Sequence, residues 1–149
     1  MKSRSNIARA VIGVTAAAAL VALVPNPASA QTVYREKAHA TKGSPKIDNH
    51  CLSLKTGREN RLVGIACFKK AGNRMWVRDY RKDGQRVEIR GEVNKNGAGY
   101  RCYGNYKAGW RKCTKISKKM PNNAVFAWNI ALTKKGKVTK AGEMRFSNT

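Results

Sequence analysis

From Cys51 onward the chain is a succession of short apolar or alternating runs, each cut off by a Gly, Asn or Asp turn signal. Leu62-Val63-Gly64-Ile65-Ala66-Cys67-Phe68 is one run, and Ala71-Gly72-Asn73 turns it into Met75–Tyr80. Asp83-Gly84 is a hairpin-type dipeptide. After it, Arg86-Val87-Glu88-Ile89-Arg90 alternates charged and apolar side chains, as a half-buried strand does. Asn96-Gly97 precedes Tyr100-Arg101-Cys102-Tyr103, and Trp110–Cys113 is placed to return antiparallel to it. Ala124–Leu132 is the most apolar stretch, with Phe126, Trp128, Ile130 and Leu132 on one face; Trp76 and Trp128 read as core. Lys135-Gly136-Lys137 turns that stretch into a last strand ending near Phe146. Lys115–Met120 is the one place for a helical turn, and Pro121 ends it. The spacing predicts an all-β fold: a small antiparallel β-sandwich or barrel-like meander of about six or seven strands.

The first thirty residues read as an export signal. Lys2, Arg4 and Arg9 form a basic start, Ala10–Val24 is an uncharged apolar stretch, and Ala28-Ser29-Ala30 is a small-residue cleavage site after Pro25-Asn26-Pro27. A retained anchor is the rival, but a bilayer-spanning helix needs about 20 apolar residues. Residues 1–30 are therefore expected to be cleaved and the mature protein to be secreted. All four cysteines, Cys51, Cys67, Cys102 and Cys113, lie beyond that segment. An even count in a short exported chain implies two disulfides. Three pairings are possible; loop length and the turn residues inside each loop favour Cys51–Cys67 with Cys102–Cys113. No CxxC-type pair is present to suggest zinc, and no metal or cofactor is expected.

Residues Gln31–His50 differ in kind. Val33, Tyr34 and Ile47 are their only sizeable apolar side chains, and Lys42-Gly43-Ser44-Pro45 is a linker signal. The segment is expected to be a flexible N-terminal arm that orders on a partner through those three residues, or else an idle tail. Residues 51–149 then form the disulfide-braced domain.

Nothing in the sequence assembles a catalytic site. Its two histidines, His39 and His50, sit in the arm, and no GxSxG, HExxH or phosphate-cradling loop occurs. Glu88 and Glu92 share a strand face with Arg90 between them, a pattern expected of a surface ion ladder rather than of paired catalytic carboxylates. Length and composition exclude large multi-domain enzymes, dinucleotide-binding sheets and membrane channels.

Charge points to binding. The whole chain holds 31 Lys+Arg against 8 Asp+Glu; residues 31–149 carry 28 basic and 8 acidic side chains, a net +20. So strong a positive field attracts polyanions. A basic and aromatic surface is expected from Arg101, Tyr103, Tyr106, Lys107, Trp110 and Arg111, joined by the cationic cluster Lys134, Lys135 and Lys137. Rings interleaved with cations suit stacking and cation–π contact. Alternation buries Tyr100 and Cys102 and exposes Arg101 and Tyr103, while Tyr106 and Trp110 are open to either reading.

A resemblance adds a direction. The Ala-rich leader, the arm before the first Cys, Ala66-Cys67-Phe68, Met75-Trp76-Val77-Arg78-Asp79 followed by Asp83-Gly84, and Gly104…Trp110…Cys113 together resemble small secreted actinobacterial two-disulfide β-sandwich proteins. Some of these resemble the adaptor subunits of the antibacterial umbrella toxin particles of Streptomyces. The resemblance implies a non-catalytic adaptor whose N-terminal segment docks in a cleft of a partner subunit. The expectation is thus a secreted, non-enzymatic binding module engaging an acidic protein partner. A basic secreted toxin or ribonuclease using His50, Arg90 and Glu92, and a polycation for wall polymers or nucleic acid, are the alternatives.

Overall fold

The structure, a computed structural model, describes residues 31–149 apart from Asn49 and Ala108. The expected signal segment lies outside the described residues. Among these the chain forms eleven strands: β1 Val33–Lys37, β2 His39–Ala40, β3 Cys51–Thr56, β4 Arg61–Lys69, β5 Arg74–Asp79, β6 Arg86–Val93, β7 Gly99–Asn105, β8 Arg111–Cys113, β9 Val125–Lys134, β10 Lys137–Ala141 and β11 Arg145–Asn148. A 3₁₀ turn covers Ser117–Lys119, inside the stretch where a helical turn was expected.

The strands make two facing sheets, and the barrel alternative falls away. The first runs β1-β7-β6-β9-β10, with β11 also on β9; the second runs β2-β8-β5-β4-β3. Strand alternation explains the core between them. On β6, Val87, Ile89 and Val93 point inward and are fully buried. On β9, Phe126, Trp128, Ile130 and Leu132 do the same, as their spacing predicts. Phe68 of the facing sheet meets Phe126 at 5.1 Å between ring centres, and Tyr100 packs edge-on against Phe126 at 6.3 Å. Each such side chain contributes about 1.5–3 kcal/mol on burial. The sheets approach closely where a side chain is missing: a Cβ on Gly64 of β4 would lie 2.4 Å from Val87 Cγ2 on β6.

Both disulfides pair as loop length favoured. Cys51–Cys67 joins directly opposed residues of β3 and β4 within one sheet. Cys102–Cys113 ties β7 of the first sheet to β8 of the second through the buried interior. That second bridge corrects an expectation: β8 does not return along β7. It pairs with β5 and β2 instead, because β7 already has β6 on one side and β1 on the other. Asp83-Gly84 is likewise not a hairpin. It lies in the connection that carries the chain from β5 in one sheet to β6 in the other, where Asp83 Oδ1 accepts the Gln85 N–H at 2.9 Å. By contrast Lys135-Gly136 is a true hairpin turn between β9 and β10, with both residues at positive φ (48° and 81°).

The largest departure concerns Gln31–His50. These residues are not a free arm. β1 pairs in parallel with β7 from Val33↔Gly99 to Lys37↔Tyr103, and Tyr34 packs against Tyr100 with ring centres 5.3 Å apart and the rings tilted by 34°. Ala38 is buried in the core. The Glu36 carboxylate accepts the backbone N–H groups of Thr114 (3.1 Å) and Ile116 (2.9 Å). β2 then joins the second sheet. Order here comes from main-chain ladders and one carboxylate, so scarcity of large apolar residues does not prevent it. Residues 41–48 lead from the β2 edge towards the β3 edge of the second sheet, and so strap across its outer face. Pro45 is buried under this strap, Gly43 sits beside Trp76, and Asp48 pairs with Lys69 at 2.6 Å. Ile65, Cys67, Trp76 and Trp110 form a small second core on that face, with Cys51 and Tyr80 packed against it.

The strand count exceeds the expected six or seven for identifiable reasons. β1 and β2 come from the supposed arm, β3 forms where no strand was expected, and the expected last strand is two, β10 and β11.

Candidate binding groove on the open sheet face

The strap covers the outer face of the second sheet, whereas the outer face of the first carries a groove of about 570 Å³. Its floor and walls follow from register. Reading across the strands, Val33 of β1 faces Gly99 of β7, then Glu92 of β6, Ala127 of β9 and Phe146 of β11. The small residues Gly99 and Ala127 leave the space, and the exposed side chains of Val33, Met144 and Phe146 border it. Phe146 is 70% exposed, an unusual position for a ring.

The next row is cationic. Arg35 of β1 lies opposite Arg101 of β7, which lies opposite Arg90 of β6, which lies opposite Asn129 of β9. Strands sit about 4.8 Å apart, so three arginines occupy adjacent positions on one face, and like charges directly opposite one another are destabilising in the free protein. Two carboxylates of β6 flank the row, Glu92 in the row of Val33 and Gly99 and Glu88 on the opposite side. Glu88 is the one paired with it. Its Oε1 is 3.9 Å from Arg90 Nε and 4.0 Å from Arg101 Nε, with no hydrogen bond. Burial pushes the Glu88 carboxyl up, while Arg90, Arg101, Arg35 and Arg86 pull it down less strongly. Burial, together with Arg90 and Arg35, lowers the Arg101 guanidinium. Four arginines, Arg35, Arg86, Arg90 and Arg101, thus share this face with two carboxylates, Glu88 and Glu92, which leaves it positive. Asn129 adds a buried Oδ1 with no hydrogen-bond partner. On the far side of Glu88, the Arg86 guanidinium lies over the Tyr103 ring at 5.2 Å.

The residues expected to form one basic and aromatic surface are divided. Arg101 and Tyr103 lie half-buried on this face. Tyr106 and Lys107 are exposed in the β7–β8 loop. Trp110 is buried in the small second core, so its binding role is corrected to a packing one. Arg111 donates its Nε–H to the Ala38 carbonyl at 2.9 Å and anchors β2. Lys134, Lys135 and Lys137 are exposed at the β9–β10 hairpin. Of the supposed arm anchors, Val33 borders the groove, Tyr34 packs on Tyr100, and Ile47 is exposed on the strap.

The ion ladder is also modified. Glu88 is buried and shared by Arg90 and Arg101, whereas Glu92 is exposed in the groove. His50 stands on the other sheet, its carbonyl accepting the Phe68 N–H of β4 at 3.0 Å, so His50, Arg90 and Glu92 do not converge. Among the described residues no cluster of His, Cys, Asp or Glu is arranged to hold a metal ion, and no helix is long and apolar enough to cross a membrane. The two disulfides belong to an oxidising environment. Sequence reasoning missed Arg35 and Phe146 because only strand pairing brings them beside Arg101 and Ala127.

No family model, curated protein or solved structure matches this chain.

Proposed function

We propose that the protein is a secreted, non-enzymatic binding module that holds an acidic macromolecule on the outer face of its first sheet. The carrying observation is the Arg35–Arg101–Arg90 row, three cations in register between the carboxylates Glu88 and Glu92, on a face that no strap covers among the described residues. Mutual repulsion within the row is relieved when an anion arrives, and guanidinium groups bind carboxylate and phosphate through paired hydrogen bonds. The net charge steers the partner inward. The leader at residues 1–30 supports export, and the disulfides support life in an oxidising compartment.

An adaptor role remains the physiological setting suggested by the resemblance. Its mechanism moves from a docking arm to a sheet face, because residues 33–40 are already built into both sheets. The test is binding to polyanions by calorimetry at several salt concentrations. Neutralising Arg35, Arg90 and Arg101 together is expected to weaken binding at least tenfold and to lower the salt slope by about two, at about 0.7 per phosphate contact on a single strand. Neutralising Lys134, Lys135 and Lys137 instead is expected to do much less. Equal losses from the two triple variants would refute the proposal.

A further inference from the structure

We infer that the groove on the first sheet binds single-stranded nucleic acid, with phosphates on Arg90 and Arg101 and a base stacked on Phe146. The inference rests on the acidic-partner reading and names the partner's chemistry.

Three observations separate a nucleotide strand from an acidic protein. The first is the ring. Phe146 is 70% exposed and follows Ala127 across the sheet, one row from the guanidinium groups. The carboxylates of an acidic peptide gain nothing from an open aromatic face, whereas every base has a π-face to place on it. The second is the arrangement on either side of the row. Phe146 stands beyond it at the β11 end, and Tyr103 stands on its other side, on β7, already carrying Arg86 over its ring. Cations between two rings match an alternation of phosphate and base. The third is the free acceptor. Asn129 Oδ1 is buried, unpaired and at the groove wall, at the end of the arginine row. Bases supply N–H donors at their edges. A peptide that adds to a sheet does so through a strand edge; this groove opens on the face.

Duplex does not fit as well. Its bases are stacked inside, so Phe146 and Asn129 gain nothing from it. Only the arginines contribute to duplex binding, through the sequence-independent phosphate term.

The experiment is fluorescence anisotropy with a labelled mixed-sequence single-stranded hexanucleotide, competed by its duplex, by polyphosphate and by polyglutamate at matched charge and salt. The wild type is compared with Phe146→Ala, with Arg90→Gln/Arg101→Gln, and with Lys134→Gln/Lys135→Gln/Lys137→Gln. Phe146 is too exposed for its loss to disturb the core, and thermal melts verify folding of the arginine pair. Phe146→Ala is expected to weaken hexanucleotide binding about tenfold while leaving polyphosphate binding unchanged. The arginine pair is expected to weaken both, and the lysine triple to change neither by more than about twofold. Unchanged hexanucleotide affinity in Phe146→Ala overturns the inference. Polyglutamate binding more tightly than the hexanucleotide, and lost in the arginine pair, overturns it too but leaves the acidic-partner reading standing. If the arginine pair binds every polyanion as well as wild type, both fall.

Discussion

Replacing Asp79 with asparagine should make the protein more stable at neutral pH. Asp79 ends β5 and is 7% exposed. Its Oδ1 accepts the Arg81 backbone N–H at 3.0 Å, while its Oδ2 is buried without a partner. Burial raises the carboxyl from 3.8 to about 6; the Arg81 backbone N–H, and to a smaller extent that of Tyr106, only partly offset this, and Asp83 adds to it. Between those two values the folded chain holds more protons than the unfolded chain. The contribution of Asp79 to stability is therefore greatest below pH 4, falls as pH rises towards 6, and is level above that. At about 1.4 kcal/mol for each tenfold change in proton affinity, the ionised carboxylate lowers stability by about 2 to 3 kcal/mol at pH 7.5. The amide keeps the acceptor oxygen and carries no charge. The assay is urea unfolding of both proteins at pH 4 and pH 7.5. Other carboxyls, Glu88 among them, titrate in both proteins, so the informative quantity is the difference between them at each pH. Asp79→Asn is expected to gain about 2 kcal/mol at pH 7.5 and almost nothing at pH 4. A difference equal at the two pH values, or a loss at pH 7.5, would refute the assignment of a desolvated carboxylate.

Three further outcomes follow from packing and connectivity. Glu36→Ala removes the acceptor shared by the Thr114 and Ile116 N–H groups, and chemical denaturation should show a loss of about 2–4 kcal/mol; a free arm would show none. Replacing Cys102 and Cys113 with Ser opens the bridge between the sheets, which closes a sequence separation of 11, and calorimetry should register a loss of about 3 kcal/mol. Gly64→Ala forces a methyl against the buried Val87, and a melt should report destabilisation of about 1–3 kcal/mol.

Much of the sandwich is legible in the sequence because its signals are local. The inward rings of β9 follow from period two, and Lys135-Gly136 and Asn96-Gly97 mark their own turns. The disulfides follow from loop length. What escapes depends on partners distant in the chain. β1 is invisible to composition because its order comes from hydrogen bonds to β7 and from Glu36 reaching Thr114 and Ile116. The placement of β8 escapes because β1 has taken the edge it would have used. The groove escapes most completely. Arg101 stands out in the sequence as a surface cation and Arg90 as part of an ion ladder, but Arg35 looks like any other among 31 basic residues, and only register puts the three in one row. Trp110 misleads for the opposite reason: it sits within a run of cations and rings, yet packs with Trp76 beneath the strap.

The most direct test of the central claim is a nitrogen-15 NMR titration of the mature protein with the single-stranded hexanucleotide at physiological salt. The largest shifts are predicted to fall on the side-chain Nε–H signals of Arg35, Arg90 and Arg101 and on the backbone of Gly99, Ala127 and Phe146. Shifts centred on Lys134–Lys140, or spread evenly over the surface, would contradict it.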